Sequence, residues 1–272
     1  MKSAVTISLV AEARGGPFVF WDGLEAGCAH AAALGFDAVE IFPPGPEALD
    51  PVAIRALLDR HGLGLAAVGT GAGWVKHKLR LTDPDPAVRQ RAREFAGGVV
   101  AVAGALGAPA IIGSMQGRCD PGTSRGQVLG WLGEALQELA ARAAVHGQAL
   151  LFEPLNRYES DVFCRQLEAA QFLRDLAAPN LRVLCDLFHM NIEEKSLADT
   201  LRAVGDRVGH VHWADTNRHA VGFGHLEPAP VIAALREIGY TGYLSAEVLP
   251  LPDSVAAARQ SLESFRQWTG RP

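Results

Sequence analysis

The sequence has no Cys-x-x-Cys pair. Cys28, Cys119, Cys164 and Cys185 stand far apart, which suits reduced thiols and argues against a disulfide framework or a structural zinc site. Positive charge is not in excess either: 25 Lys and Arg against 30 Asp and Glu leave a net charge of −5. Nothing general attracts nucleic-acid phosphates or anionic lipid, so neither nucleic acid nor membrane is an expected partner. Long apolar runs are also missing. Lys2 leads into Thr6 to Val10 and then into charged residues, so no secretory leader or membrane span is expected, and the cytoplasm is the expected location. No linker or low-complexity stretch divides the chain, and one domain over residues 1–272 is expected.

What is present is a regular alternation. With 49% hydrophobic and 20% charged residues, the chain can bury a large core. Ala4 to Val10, Asp37 to Phe42, Leu63 to Val68, Pro109 to Gly113, Gln148 to Phe152, Leu181 to Cys185, Val208 to Val211 and Tyr243 to Ala246 read as short strands. Each is followed by a longer helical stretch, with Gly35, Gly107 and Gly147 placed as helix stops. Eight such units call for a parallel sheet, and the expected fold is α/β, a single (β/α)8 TIM barrel. An open doubly wound sheet is the alternative. Its nucleotide fingerprint is not met, because Gly69-Thr70-Gly71-Ala72-Gly73 lacks the Gly-x-Gly-x-x-Gly spacing.

Four successive strands end alike. Glu153 follows the fifth, Asp186 the sixth, His212 the seventh and Glu247 the eighth. Barrel active sites are built at the carboxyl ends of strands, and these four strands are neighbours, so the four side chains are expected to converge. Three clustered carboxylates repel unless a cation neutralises them. An oxygen and imidazole donor set suits one divalent ion such as Mn²⁺, Co²⁺ or Mg²⁺. Singly, each acid also reads as a cap for the following helix. His210, one layer deeper on the same face as His212, reads as a hydrogen-bonded core histidine. His189, Glu159 and Arg218 lie in loops at the same mouth, in reach of a substrate or simply solvated. Phe20, Trp21, Trp74 and Met115 form either an apolar wall there or ordinary packing.

Glu153-Pro-Leu-Asn-Arg-Tyr-Glu159, Asp186-Leu-Phe-His-Met-Asn-Ile-Glu-Glu194, His210-Val-His212 with Asn217-Arg218, and Gly239-Tyr-Thr-Gly-Tyr with Glu247 together resemble the xylose-isomerase-like sugar isomerase and epimerase family. Its D-tagatose/D-psicose 3-epimerase branch is the nearest match. The resemblance is dense from Glu153 to Glu247 and looser in the first half. It implies that Glu153, Asp186, His212 and Glu247 hold the metal and that Glu153 and Glu247 are the acid/base pair. It also implies that Glu159, His189 and Arg218 hold oxygens around C1 to C3 of a ketose. Gly113-Ser-Met-Gln-Gly-Arg118 and Trp213-Ala-Asp-Thr216 depart from the family pattern, which leaves the sugar open.

The expected function is metal-dependent C3 epimerisation of a free keto-sugar through a cis-enediolate. The alternatives are an aldose–ketose isomerase of the hydroxypyruvate type, a keto-inositol isomerase, an endonuclease IV-like phosphodiesterase, and a sugar-binding barrel without turnover. The phosphodiesterase needs further histidines that His61 and His77 are poorly placed to supply. The expected partner is a small sugar, and a homo-oligomer, dimer or tetramer, is also expected.

Overall fold

The computed structural model describes residues 1–271. Eight strands form a closed, all-parallel barrel in chain order: β1 Lys2–Ser8, β2 Ala38–Phe42, β3 Gly64–Gly69, β4 Ala110–Ile112, β5 Leu150–Phe152, β6 Leu181–Asp186, β7 Val208–His212 and β8 Tyr243–Ala246. Closure comes from β8 against β1, in the register Lys2↔Tyr243 through Val5↔Ala246. The outer ring is α1 Leu24–Leu34, α2 Pro51–His61, α4 Pro86–Ala105, α5 Arg125–Ala144, α6 Gln166–Asp175, α8 Leu197–Val204, α9 Pro228–Glu237 and α10 Ser254–Thr269, while the short α3 Ala72–Val75 and α7 Leu187–Glu193 are inserted after β3 and β6. Among the described residues no helix is long and apolar enough to cross a membrane.

The strand sequences explain the layering. Residues two apart share a face, and both faces of a barrel strand are covered, which is why the strands read as short apolar runs. Outward positions such as Val39 and Ile41 join the large cluster under the helices. Inward, Ala67, Ile111, Leu151 and Leu184 form their own small cluster, and Ala4, Ala38 and Ala66 form another. These plug the barrel one layer below the strand ends. Leu151 and Leu184 lie two residues before Glu153 and Asp186, and His210 two before His212, so the inward phase carries each polar side chain to the top of the barrel.

At the carboxyl face several strand ends shift by one residue, and two departures shape the site. β1 ends at Ser8 rather than Val10, because the Ser8 and Leu9 amides donate to Phe20 O and Phe42 O, both 2.9 Å. The stretch after Asp186, expected as loop, is helical: Asp186 Oδ1 accepts from the Phe188 amide at 2.8 Å and caps α7.

Candidate active site

Glu153, Asp186, His212 and Glu247 meet at the carboxyl end of the barrel, with ligand atoms all within 4.8 Å of one another. Asp186 and His212 are fully buried; Glu247 keeps 13% of its side chain exposed. His212 Nδ1 is the hub, 3.3 Å from Asp186 Oδ2 and 3.4 Å from both Glu153 Oε1 and Glu247 Oε2. Asp186 therefore does two things at once, capping α7 with one oxygen and facing the cluster with the other. At Gly113 an added Cβ would stand 2.5 Å from Glu153 Oε2. The fourth loop needs glycine there to let the carboxylate in.

This donor set fits a divalent cation. Three carboxylates and one imidazole nitrogen converge, and the buried Glu153 Oε1 has no hydrogen-bond partner among the described residues. Without a cation the charge is balanced from within the chain. Burial pushes the Glu153 carboxyl up to about 7; the charges of Glu247 and Asp186 add to this, while His212 opposes it. For Asp186 burial acts upward, but Arg218, His189 and His212 hold it well below the usual carboxylate range. His212 goes the other way: against burial, the charges of Glu247 and Glu40 and the nearby oxygens of Asp186 and Glu153 hold it protonated well above its ordinary value. Arg218 supplies the second positive charge, with Nη2 3.2 Å from Asp186 Oδ2 and in contact with Glu247 Oε2.

Arg218 sits at φ 60°, a left-handed backbone that a non-glycine residue adopts only when its surroundings enforce it. Asp215 enforces it. This buried carboxylate accepts from the amides of Thr216, Gly222 and Leu226 at 2.7, 2.8 and 2.9 Å, and its carbonyl accepts from the Arg218 amide at 2.9 Å. Trp213, in the same departing stretch, is buried with Nε1 donating to Ser264 Oγ at 2.9 Å. It supports the core and does not line the pocket.

Two residues of the site escape sequence reasoning. Glu40, in β2 on the far side of the barrel, accepts from His210 Nε2 at 2.8 Å and His212 Nε2 at 3.2 Å. Bonded to Glu40 through Nε2, His212 turns Nδ1 toward the three carboxylates, an orientation typical of metal-bound histidines with a supporting carboxylate. The signal for Glu40 was a lone charge inside the strand Ala38-Val-Glu-Ile-Phe42. Glu40, His210 and His212 also lie close enough to hold a metal, but their atoms satisfy one another. The second missed residue is Asn156, whose backbone amide and Nδ2 both point at His189 Nδ1, at 3.2 and 2.8 Å. Nδ1 therefore accepts, and the ring proton is on Nε2. Burial, outweighing Asp186, pushes the His189 pKa down, so the ring is a neutral donor. Its Nε2 lies 3.1 Å from Arg218 Nη1, two donors facing one another that an incoming oxygen would separate. Glu159 closes this corner, accepting from Asn156 Nδ2 at 2.9 Å.

The site opens into a cavity of about 350 Å³ that runs toward the loops after β1 to β3. Its apolar wall is Phe18 stacked on Phe42 at 4.4 Å, with Val75 and Leu155. Phe20 and Met115 are instead buried in the core. Trp21 braces Phe18, edge-on at 5.6 Å with Nε1 donating to its carbonyl at 2.7 Å, and Trp74 lines a neighbouring cavity.

Residues 28–268 match the model of the xylose isomerase-like TIM barrel family. The chain belongs to this family. Within it, the L-ribulose 3-epimerase of Methylomonas sp. (strain DH-1) is 31% identical over 242 residues, 86% of this chain and 83% of that one. The 3-dehydro-D-guloside 4-epimerase of Escherichia coli (strain K12) is 29% identical over 244 residues, 86% and 90% of the two chains. A solved D-allulose 3-epimerase from Methylomonas sp. superposes with a TM-score of 0.80 at 28% identity, covering 98% of each chain. These family members are sugar epimerases, and this chain is an enzyme of the same isomerase and epimerase class.

Proposed function

We propose that the protein epimerises a ketose at C3, using Glu153 and Glu247 as the acid/base pair and one divalent cation, of the Mn²⁺, Co²⁺ or Mg²⁺ kind, held by Glu153, Asp186, His212 and Glu247. The observation that carries this is the meeting of the two glutamates at one hub, each 3.4 Å from His212 Nδ1 and each on the cavity wall. Inverting a carbon needs one group to take a proton from one face and another to return a proton to the opposite face.

When bound, the cation supplies electrostatic stabilisation of the charge that develops on the substrate oxygens as the proton leaves. The chain does the rest. One glutamate removes the C3 proton; the other protonates the opposite face of the planar cis-enediolate. His189 Nε2–H and the Arg218 guanidinium donate to the carbonyl-side oxygens, with Glu159 accepting from a neighbouring hydroxyl. The plug of Ala67, Ile111, Leu151 and Leu184 closes the barrel beneath and excludes water from below. The names of the relatives, which include epimerases at C3 of L-ribulose and D-allulose, support C3 as the reacting carbon.

The test is proton-to-deuteron exchange by NMR in D₂O, with cation-supplemented enzyme and a panel of free ketoses, hydroxypyruvate and a keto-inositol. Deuterium at C3 together with the C3 epimer is expected. Exchange at C1 with an aldose product would make the protein an aldose–ketose isomerase instead.

A further inference from the structure

A second cavity of about 460 Å³ adjoins the first at the barrel mouth. The two share Val75, Ser114, Leu155 and Glu159 as a common wall. Beyond that wall stand two aromatic rings, Trp74 and Tyr158, at 36% and 74% exposure. Both are unusual in a region where Phe20 and Met115 are buried. Arg118 stands between the fourth and fifth loops, its Nη2 donating to Tyr158 O at 2.6 Å and its Nε to Glu159 O at 3.2 Å. That grip fixes the Tyr158 backbone and leaves the phenol ring free to meet a ligand.

We propose that this cavity is a subsite for a pyranose unit, and that the preferred substrate is a ketose carrying a sugar on its carbonyl-side terminal oxygen, O1. The inference rests on the keto-sugar reading above. One hexose occupies on the order of 200 Å³, six or seven waters' share of liquid volume, so the first cavity holds one ketose without room for a second ring, and the second cavity has room for that ring. The exposed Tyr158 ring supplies rigid contact area at little conformational cost, beside a Trp74 ring whose face meets Lys78 and Arg80 at 5.1 and 5.8 Å, and guanidinium N–H groups meet sugar hydroxyls. The direction follows from Glu159. It joins the two cavities and stands beside His189 and Arg218, 3.9 Å from each, where the carbonyl-side oxygens are held. A substituent leaving past Glu159 is therefore attached at O1; the opposite end of the ketose points to Phe18 and Phe42. Binding energy from such a remote ring holds the reacting carbons in place and raises turnover as well as affinity.

The experiment compares D-fructose, 1-O-α-D-glucopyranosyl-D-fructose and its 6-O isomer on the full-length, cation-supplemented enzyme. The 1-O compound is expected to show kcat/KM about tenfold above D-fructose, equivalent to ~1.4 kcal/mol, with no gain for the 6-O isomer. In Tyr158→Ala and Trp74→Phe the ratio falls toward one. A 1-O compound no better than D-fructose, or a gain that survives both substitutions, overturns the subsite. Saturation-transfer NMR reads binding without turnover: the glucosyl protons of the 1-O compound should be saturated by the wild type and not by Tyr158→Ala. Glucosyl saturation without C3 exchange in any ketose would keep the subsite and sink the epimerase reading; absence of saturation removes the subsite whatever the exchange shows. Sedimentation at the same concentrations is the last arm. Self-association abolished by Tyr158→Ala assigns the rings to a second copy of the chain and overturns the proposal.

Discussion

The two halves of the barrel are built alike below and differ above. β5 to β8 carry Glu153, Asp186, His212 and Glu247 at or just past their ends, whereas β1 to β4 end on Ser8, Phe42, Gly69 and Ile112. The first set places charge where it cannot escape; the second leaves space, with Gly113 making way for Glu153 and Phe18 and Phe42 shaping the far wall. On the proposed function, one half supplies the chemistry and the other the substrate shape. Glu40 is the exception, reaching from β2 to His210 and His212, so the quiet half sets the orientation of the hub in the active one.

The comparison breaks most sharply at the glutamates. Glu153→Gln and Glu247→Gln are each expected to lower kcat by roughly a thousandfold, within the range for losing a general acid or base, with thermal unfolding of the cation-free protein near neutral pH nearly unchanged. Full activity in either would end the two-glutamate account. Next in size is His210→Ala, which leaves Glu40 buried with one partner lost, at ~3 kcal/mol of stability by denaturant titration; cation affinity should change less than stability does. Glu40→Gln tests the crossing between halves. Cation affinity by calorimetry should weaken roughly 10- to 100-fold, although Glu40 is not among the four proposed ligands.

Acidity separates the loaded from the cation-free protein. The folded pKa of Glu153 is raised from 4.5 to about 7, so its contribution to stability is complete below pH 4.5 and is lost as the pH rises through about 7. His212, also raised, loses its contribution at higher pH still, and the lowered groups Glu40 and Asp186 matter only in stronger acid. His189, lowered from 6.5, works the other way in acid, so chelator-treated protein should melt lower as the pH rises from about 6.5 through 7, while the increment from added Mn²⁺ grows because ionised carboxylates bind it. The smallest effect belongs to the shape half. Phe18→Ala should raise KM by about tenfold or less, the loss of one stacked aromatic contact, with kcat little altered.

The barrel and the convergence of Glu153, Asp186, His212 and Glu247 are legible because both follow from period and phase. A short apolar run ending on a polar side chain, repeated in register, places that side chain at the top of an inward face. His210 was legible by the same count of two. Glu40 shows in the sequence only as a lone charge in β2, and its role stays hidden because its partners lie 170 and 172 residues away. Asn156 gave no sign at all, since an asparagine after Pro-Leu looks like any turn residue until His189 is seen beside it. Of the two readings open for the loop aromatics and Met115, ordinary packing holds for Phe20 and Met115. The isolated bridge Ile7↔Phe20 draws that segment into the barrel and leaves Phe18 to face the cavity.

The most direct measurement is anomalous diffraction from crystals soaked in Mn²⁺. One peak per chain is expected, bonded at about 2.0–2.3 Å to Glu153, Asp186, Glu247 and His212 Nδ1, with His212 Nε2 still on Glu40. A peak among Glu40, His210 and His212, or no peak at all, would contradict the account.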